Sequence, residues 1–311
     1  MTLADLAQEA ASHWGGTLLA LIRNRENAVF RMGLPGGMAA LRLHRMGYQR
    51  DSAIRSELWW CAALADAGLP VPRPLLSNGG ERLVRLSSGR LASAVEWMPG
   101  EPLGEAGVPF AAPVAVQVRR HHALGLLLAR IHDATDALTL PAWFDRPSWD
   151  ITGLLGEAPF WGRFWEHPAL SAQEAARLVE VRGTLRDRLE SRLAGERPAP
   201  IHADVLRENV LVAGNDLSLI DFDDAGIGFR LYDLGTVLSQ NIYEAAFAEI
   251  RAALIEGYSS LRPADPDLVD LFTLARTLAS VGWTMPRLAP DDPVNRSHIA
   301  RALLCADRVL G

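Results

Sequence analysis

The chain of 311 residues can bury a large core in one large or two moderate domains, and its 49% hydrophobic and 22% charged residues are ordinary for a globular protein. A net charge of −6 gives no general attraction to nucleic acid or to an anionic membrane. No run approaches about 18 uninterrupted apolar residues, so we expect no membrane span. Cys61 and Cys305 stand outside any metal-ligand spacing, and the N-terminus lacks a signal-peptide pattern, so we expect a cytoplasmic protein.

The sequence contains no lysine, and all 31 basic residues are arginine. This composition excludes Schiff-base chemistry through lysine and a phosphate-binding loop of the Walker type, which depends on its lysine. Any side-chain cation that contacts a phosphate group is therefore expected to be an arginine.

The first hundred residues predict an antiparallel sheet with one inserted helix. Short apolar runs are separated by turn signals such as Leu34-Pro35-Gly36-Gly37. One stretch instead has apolar residues at helical spacing and stops at a proline-rich segment. The expected elements are a helix near residues 3–10, strands at 17–22, 28–32, 39–43, 81–86 and 91–97, and the inserted helix at 52–67.

A break at Met98-Pro99-Gly100 separates this sheet from a mainly helical remainder. Helical patterns cover residues 113–136, 172–194, 233–258, 265–285 and 293–310, and residues 143–165 form an aromatic, loop-rich insert. We therefore predict an α+β fold with a small N-terminal antiparallel β lobe over residues 1–97 and a larger, mainly helical lobe over residues 98–311.

One stretch of the second lobe, residues 201–233, concentrates one histidine, seven acidic residues and two asparagines. Apolar runs at 210–213 and 217–222, joined by Gly214-Asn215-Asp216, predict a tight β-hairpin. Antiparallel strands lie about 5 Å apart, so the hairpin is expected to bring Asn209 and Asp221 together. Carboxylate and amide oxygens at one strand edge suit a Mg²⁺ ion that bridges phosphates.

Other polar residues of this stretch are candidates for several roles. Asp204 precedes the hairpin and is the candidate general base for an alcohol nucleophile. We interpret His202 as a brace for the backbone rather than a proton carrier. Asp223 either supplies a second metal contact or faces solvent. Asp233 is either a helix cap or an arginine partner.

A second group of charged residues lies in the first lobe. Side chains alternate between the two faces of the predicted strand at 39–43, which places Arg42 on one face. Glu57 lies on the predicted helix that follows. An ion pair between them would hold the guanidinium toward phosphates. This interpretation depends on the hairpin providing the other half of the site.

Together these residues resemble the catalytic core of the aminoglycoside phosphotransferase and choline kinase-like family, which shares the protein-kinase fold. His202, Asp204 and Asn209 match the family's H-x-D motif followed by four residues and N. Asp221-Phe222 matches its metal-binding D-F motif, and Asp233-Leu234 matches its later structural motif. The resemblance extends over most of the chain.

The resemblance implies a kinase that uses ATP and Mg²⁺ and transfers the γ-phosphoryl group to a hydroxyl. Asp204 would accept or orient the hydroxyl proton. Asn209 and Asp221 would hold Mg²⁺, with Asp223 as a further metal contact.

The resemblance also implies nucleotide contacts in the first lobe. Arg42 would contact the phosphates and Glu57 would orient it. Backbone groups from Glu96 to Met98 would bind adenine, and the loop at residues 25–28, which includes Asn27, would cover the phosphates.

The sequence departs from the family's pattern at several positions, among them Leu206, where many relatives have histidine, and the loop over the phosphates, which has no glycine. Arg42 stands where protein kinases have lysine, which keeps the charge but changes the geometry. Asp223 stands where they have glycine. Ala203 replaces a common glycine, and we expect this replacement to matter little.

Two other classes of protein share part of this pattern. In a phosphatase of the haloacid dehalogenase type, Asp221 would be a covalent nucleophile and Asp223 a general acid. That family uses a later lysine, which this chain lacks, and has alternating strands and helices. In a nucleotide-binding pseudokinase the same residues would bind without turnover.

The acceptor is expected to be a small-molecule hydroxyl compound, such as homoserine, an aminoglycoside or a choline-like alcohol. The helices after the hairpin and the aromatic insert are expected to build its pocket. Acidic Glu208, Asp223 and Asp224 favour a cationic acceptor. A stress-response Ser/Thr kinase that resembles this family keeps a D-x-D-D-A motif, so a protein substrate is the alternative.

Overall fold

A computed structural model describes residues 2–24 and 27–311. The chain forms two compact units, each of which is discontinuous in sequence. The first unit contains Met1–Glu101, Leu138–Arg146 and Leu211–Asp223, and the second contains Pro102–Ala137, Pro147–Val210 and Asp224–Gly311. The division into lobes at residue 97 stays a prediction.

The first unit is built on a five-stranded sheet in the order β1-β2-β3-β5-β4, whose pairs are antiparallel. Its alternating sequences bury one face, on which α1 packs through Ala7, Ala10 and Ala11. This arrangement confirms the predicted antiparallel lobe. The elements are α1 (Leu3–Ser12), β1 (Thr17–Asn24), β2 (Ala28–Leu34), β3 (Gly37–Leu43), α2 (Asp51–Asp66), β4 (Val84–Arg85) and β5 (Leu91–Glu96).

Strand β3 and helix α2 position the charged residues of this unit. Ala39, Leu41 and Leu43 are buried in the core, so the alternation places Arg42 on the opposite face. Helix α2 buries Glu57, which is 3% exposed, among its apolar residues.

The predicted hairpin is present as β9 (Val210–Ala213) and β10 (Asp216–Leu219), with Gly214 at φ 65° in the turn. In the sheet order β10-β9-β6, the short strand β6 (Glu101–Pro102) is the other neighbour of β9. The second strand ends at Leu219, so its predicted extension to Phe222 is wrong. Asp221 takes a left-handed φ of 65°, and Phe222–Asp224 form a 3₁₀ turn that a strand cannot include.

The second unit is mainly helical, as predicted, around a core that includes Trp149, Phe164, Tyr232 and Phe272. The predicted helical segment at 233–258 is two helices, α6 and α7. No helix in the described part of the chain is long and apolar enough to cross a membrane. The helices are α3 (Val114–Asp136), α4 (Ile151–Leu155), α5 (Ala172–Arg192), α6 (Leu231–Asn241), α7 (Phe247–Ser259), α8 (Pro266–Thr284) and α9 (Pro293–Leu310).

Close backbone contacts shape this unit. Helices α3 and α7 approach each other through Gly125, where an added Cβ would lie 2.1 Å from the carbonyl oxygen of Leu254. A small sheet of β7 (Ser148–Trp149), β11 (Gly226–Gly228) and β8 (Ala199–Ile201), in that order, leads the chain into the loop that contains Asp204.

Candidate active site

The loop after β8 is anchored by the buried carboxylate of Asp233. Its Oδ2 accepts a hydrogen bond from the backbone N–H of His202 over 3.0 Å, and its Oδ1 accepts one from that of Ala203 over 2.7 Å. Oδ2 also lies 3.1 Å from Nε2 of the buried His132, whose Nδ1 is 2.9 Å from the hydroxyl of Tyr258. Asp233 thus has a structural role, as its motif predicts, but its predicted form as a helix cap or an arginine partner is wrong. It holds the loop to α6 and α3.

This anchoring imposes a left-handed backbone at Ala203, whose φ is 63°. Such a conformation favours glycine, because an L side chain pays a steric cost there. The replacement of glycine at this position therefore carries a steric cost, and the expectation that it matters little stays a prediction. His202 is 0% exposed, and its Nδ1 accepts the backbone N–H of Asp204 over 3.2 Å. This contact supports its interpretation as a brace.

Both carboxylate oxygens of Asp204 accept hydrogen bonds. Asn209 Nδ2 donates to Oδ2 over 3.0 Å and to the backbone oxygen of Asp204 over 2.9 Å. Arg276 Nη2 donates to Oδ1 over 2.8 Å. Because the nitrogen of the Asn209 amide is committed to Asp204, its oxygen is the atom that can serve a cation. The structure thus places Asp204 and Asn209 together and adds Arg276, and the expected approach of Asn209 to Asp221 stays a prediction.

In the first unit, Arg42 and Glu57 form the ion pair that the sequence predicts. Arg42 Nη1 donates to Glu57 Oε1 over 2.6 Å, and Nη2 donates to Asp221 Oδ1 over 3.3 Å. Asp223 Oδ1 lies 3.9 Å from Nη1. Burial lowers the pKa of Arg42, but the three carboxylates outweigh it and hold that pKa above its ordinary value. The guanidinium is therefore a fixed positive charge.

Asp223 is 6% exposed, so the alternative in which it faces solvent is wrong. Burial, followed by the nearby Glu57, raises the pKa of Asp223 to about 7. Its Oδ1 and the Oε2 of Glu57 are buried without a hydrogen-bond partner in the described part of the chain. Together with the half-exposed Asp221, these oxygens fit a hard divalent cation. The described residues contain no cluster of three or more His, Cys, Asp or Glu arranged to hold a metal, so protein ligands would share the ion with phosphate oxygens and water.

Arg146 fixes the turn that carries these carboxylates. Its Nη2 donates to the backbone oxygens of Asp223, over 2.6 Å, and Phe222, over 3.3 Å. Its Nη1 donates to the backbone oxygen of Ala53 on α2 over 2.9 Å. Arg146 stands in the aromatic insert and is not among the site residues predicted from the sequence.

The residues predicted to contact the nucleotide, Glu96, Met98 and Asn27, lie in different segments of the first unit. Glu96 is the last residue of β5, and its N–H donates to the oxygen of Arg73 over 2.9 Å. Met98 is partly buried. Asn27 is buried, and its Oδ1 accepts the N–H of Arg45 over 2.9 Å. The predicted loop at 25–28 includes residues 25 and 26, which lie outside the described residues. The nucleotide-binding roles stay predictions.

The fold and these two groups of residues define a phosphotransferase with a protein-kinase-like fold. The sequence profile of the phosphotransferase enzyme family matches residues 17–272, and the chain belongs to that family. The predicted family, kinase activity and fold are confirmed. The interpretation as a haloacid dehalogenase-type phosphatase is wrong, because the helices after the hairpin belong to a kinase-like architecture.

Several relatives are similar over much of their length. A homoserine kinase of Brucella ovis is 29% identical over 230 residues, which cover 72% of this chain and 64% of that protein. The chain thus spans less than two thirds of the length of that relative. A solved microcompartment-associated aminopropanol kinase is 28% identical with a TM-score of 0.84, and the match covers 99% of this chain and 97% of that one. An aminoglycoside phosphotransferase in a ternary complex with ADP and hygromycin B, at 16% identity, has a TM-score of 0.67 over 99% and 98% of the two chains and shows likeness of fold alone.

Proposed function

We propose that this chain is an ATP- and Mg²⁺-dependent kinase that transfers the γ-phosphoryl group to the hydroxyl of a small molecule. The observation that carries the proposal is the placement of Asp204. Its carboxylate is fixed at both oxygens, on a loop whose backbone N–H groups are held by the buried Asp233. A rigidly held carboxylate is what general-base catalysis on an alcohol requires.

In this proposal the hydroxyl oxygen attacks the γ-phosphorus as the bond from that phosphorus to the β–γ bridging oxygen breaks. The hydroxyl proton passes to Asp204, and the leaving ADP carries the electron pair of the broken bond. Asn209 keeps Asp204 oriented through its amide nitrogen. Asp204 and Asn209, both in the second unit, would therefore act on the hydroxyl of the acceptor.

Arg42 would contact the phosphates, and Glu57 holds its guanidinium in place. Asp221 and the amide oxygen of Asn209 would bind Mg²⁺, with Asp223 as a further contact. When bound, the ion neutralises the charge that develops on the phosphate oxygens. Asp223 Oδ1 and Glu57 Oε2, which are buried without a hydrogen-bond partner in the described part of the chain, support a cation there.

The remaining assignments concern the adenine, the acceptor and the compartment. Backbone groups of Glu96 to Met98 would bind adenine, and Asn27 would belong to the loop over the phosphates. The relatives named as homoserine kinase and aminopropanol kinase support a small hydroxyl compound as acceptor. Both cysteines are free and buried, which supports a reducing cytoplasm.

The test is a coupled assay of ADP release across a panel of alcohol acceptors, with the Asp204→Asn variant beside the unaltered protein. We expect Mg²⁺-dependent turnover that falls by about 10²–10⁴-fold in the variant, because general-base catalysis is lost. Nucleotide binding, followed by thermal shift, serves as the control and should persist. Undiminished turnover in Asp204→Asn would show that Asp204 is not the general base. Activity on a protein substrate alone would overturn the assignment of a small-molecule acceptor.

A further inference from the structure

Arg276 is a buried charge on α8 in contact with the candidate base. It is 4% exposed, and its Nη2 donates to Asp204 Oδ1 over 2.8 Å. Nη1 donates to Ser280 Oγ over 2.5 Å. The guanidinium carbon lies 4.7 Å from the ring centroid of Trp161. These contacts fix one guanidinium beside Asp204.

A second buried guanidinium lies near this one. Burial and the neighbouring Arg276 lower the pKa of Arg301 on α9 to about 10. His298 lies with its Nδ1 2.9 Å from Arg301 Nη2, and burial followed by the two arginines lowers its pKa to about 3, so it is neutral. Asp204 pairs with Arg276, and the carboxylates of Asp224 and Asp233 act on the nearby Tyr232. An anionic ligand would therefore need hydrogen-bond donors as well as the charge of the two guanidinium groups.

Buried hydrogen-bond donors in the same region lack acceptors. Nε of Arg276 has no partner in the described part of the chain, and neither do Nε of Arg301, Nε1 of Trp161 and the hydroxyl of Tyr232. Trp149 connects the two aromatic residues, since its ring stacks on Tyr232 at 5.7 Å and meets Trp161 edge-on at 4.7 Å. Buried donors normally have partners, and an anionic ligand would supply acceptors for this group of donors.

We infer that Arg276, with Arg301 as its neighbour, recognises an anionic group of the acceptor, so that the acceptor is a hydroxyl compound that also carries a carboxylate. This inference rests on the proposed kinase function. A carboxylate can bind side-on to Nε and Nη2 of a guanidinium through two parallel hydrogen bonds. Nη2 carries a second N–H besides the one given to Asp204, and Nε is unpaired.

Two simpler interpretations explain less. A structural ion pair accounts for the contact between Arg276 and Asp204 but not for the unpaired donors. A cationic acceptor group at this position would add a third positive charge beside Arg276 and Arg301, which is unfavourable in a buried environment. The expectation from Glu208, Asp223 and Asp224 that the acceptor is cationic concerns other positions and does not describe this one.

The experiment uses pairs of hydroxyl compounds that differ only in the carboxylate. L-Threonine is paired with 1-amino-2-propanol, L-serine with 2-aminoethanol and L-homoserine with 3-amino-1-propanol, so that hydrogen replaces the carboxylate in each pair. Binding to the full chain without nucleotide is measured by calorimetry, and turnover is measured by ADP release. We expect at least one carboxylated member to bind about 10- to 100-fold more tightly than its partner, because hydrogen bonds to charged groups are strong.

Variants then assign this preference to Arg276. In Arg276→Gln we expect the affinity for the carboxylated compound to fall by about 10- to 100-fold, while that for the carboxylate-free partner changes by less than about 3-fold. Arg276→Lys should restore part of the preference through its charge. The matched control is Arg251→Gln, which breaks another ion pair of α8, from Arg251 Nε to Asp270 Oδ1 at 2.7 Å, and should leave both affinities unchanged. Circular dichroism checks that each variant folds.

The outcomes separate this inference from the proposed function. A carboxylate preference that Arg276→Gln abolishes supports the inference, even if no compound is turned over and the kinase proposal fails. Turnover of the carboxylate-free partners alone overturns the inference and leaves the kinase proposal standing. Equal losses for both members of a pair in Arg276→Gln also overturn it, since Arg276 would then act on Asp204 rather than on the acceptor. Failure of every carboxylated compound to bind overturns it as well.

Discussion

The buried polar atoms that lack a partner in the described part of the chain differ between the two units. Beside Arg42, in the first unit, they are carboxylate oxygens, Glu57 Oε2 and Asp223 Oδ1. Beside Asp204, in the second unit, they include the N–H donor Nε of Arg276. Carboxylate oxygens suit a cation, and N–H donors suit an anion. The contrast indicates which kind of ligand each group of residues favours.

Each group also contains one non-glycine residue with a left-handed backbone, and the steric cost of that conformation differs between the two residues. Asp221 and Ala203 are the non-glycine residues with a positive φ in the described part of the chain, at 65° and 63°. Aspartate tolerates the left-handed conformation because its short polar side chain hydrogen-bonds locally, whereas alanine has no such compensation. The strain at Ala203 is therefore sustained by Asp233, which accepts the N–H groups of that loop.

The largest expected effect comes from removing the central arginine of the first unit. Arg42→Met leaves Glu57 and Asp223, which are 3% and 6% exposed, without their main counter-ion. Breaking a buried pair in this way costs about 3–5 kcal/mol of the free energy of unfolding, measured by urea denaturation.

Two controls sharpen this prediction. Arg276→Met should cost less, because its partner Asp204 is 17% exposed in the side chain. Arg85→Met breaks an exposed pair with Asp51 and should cost less than about 1 kcal/mol. Equal losses in Arg42→Met and Arg85→Met would show that the carboxylates of the first unit do not depend on Arg42.

A smaller effect is expected from pH, because each unit buries a histidine against arginines. Burial and then Arg42 lower the pKa of His44 well below 6.5, and burial followed by Arg301 and Arg276 lowers that of His298 to about 3. Below about pH 6.5 the unfolded chain binds protons that the folded protein does not, so the free energy of unfolding falls as the pH falls. Each histidine contributes at most about 1.4 kcal/mol per pH unit.

The measurement is urea denaturation of the unaltered protein and of His44→Gln and His298→Gln between pH 7 and pH 4.5. Both variants should show a shallower loss of stability with acid than the unaltered protein. The effect should be larger for His44, which is 3% exposed, than for the partly exposed His298. Parallel curves for all three proteins would mean that burial and the arginines do not keep either imidazole neutral.

The smallest effect is expected at the strained loop of the second unit. Ala203→Gly removes the steric cost of the left-handed φ but adds freedom to the unfolded chain, so we expect stabilisation of about 0–1 kcal/mol in thermal or urea unfolding. Ala203→Val should destabilise, since a β-branched side chain fits this conformation least. Destabilisation by Ala203→Gly would show that the Ala203 side chain contributes more packing than strain.

Much of this protein follows from its sequence by local rules. Alternating and helical hydrophobic periods, with glycine and proline between them, predict the antiparallel sheet, the inserted helix and the helical remainder. Arg42 and Glu57 could be paired because hydrophobic periodicity indicates the face of the strand on which Arg42 lies and the face of the helix on which Glu57 lies. Asp204 and Asn209 could be singled out because residues five apart share one loop. The absence of lysine assigned phosphate recognition to arginine.

Tertiary structure decided the contacts that join distant parts of the chain. Asp233 anchors a loop about 30 residues before it, Arg146 braces the turn of Asp223, and Arg276 reaches Asp204 across 72 residues. One signal was visible beforehand, since Arg276 is a single charge within the apolar run from Leu271 to Val281 of α8. Its partner, Asp204, could not be predicted. A buried charge must be paired, but local periodicity does not identify the residue that packing brings into contact with it.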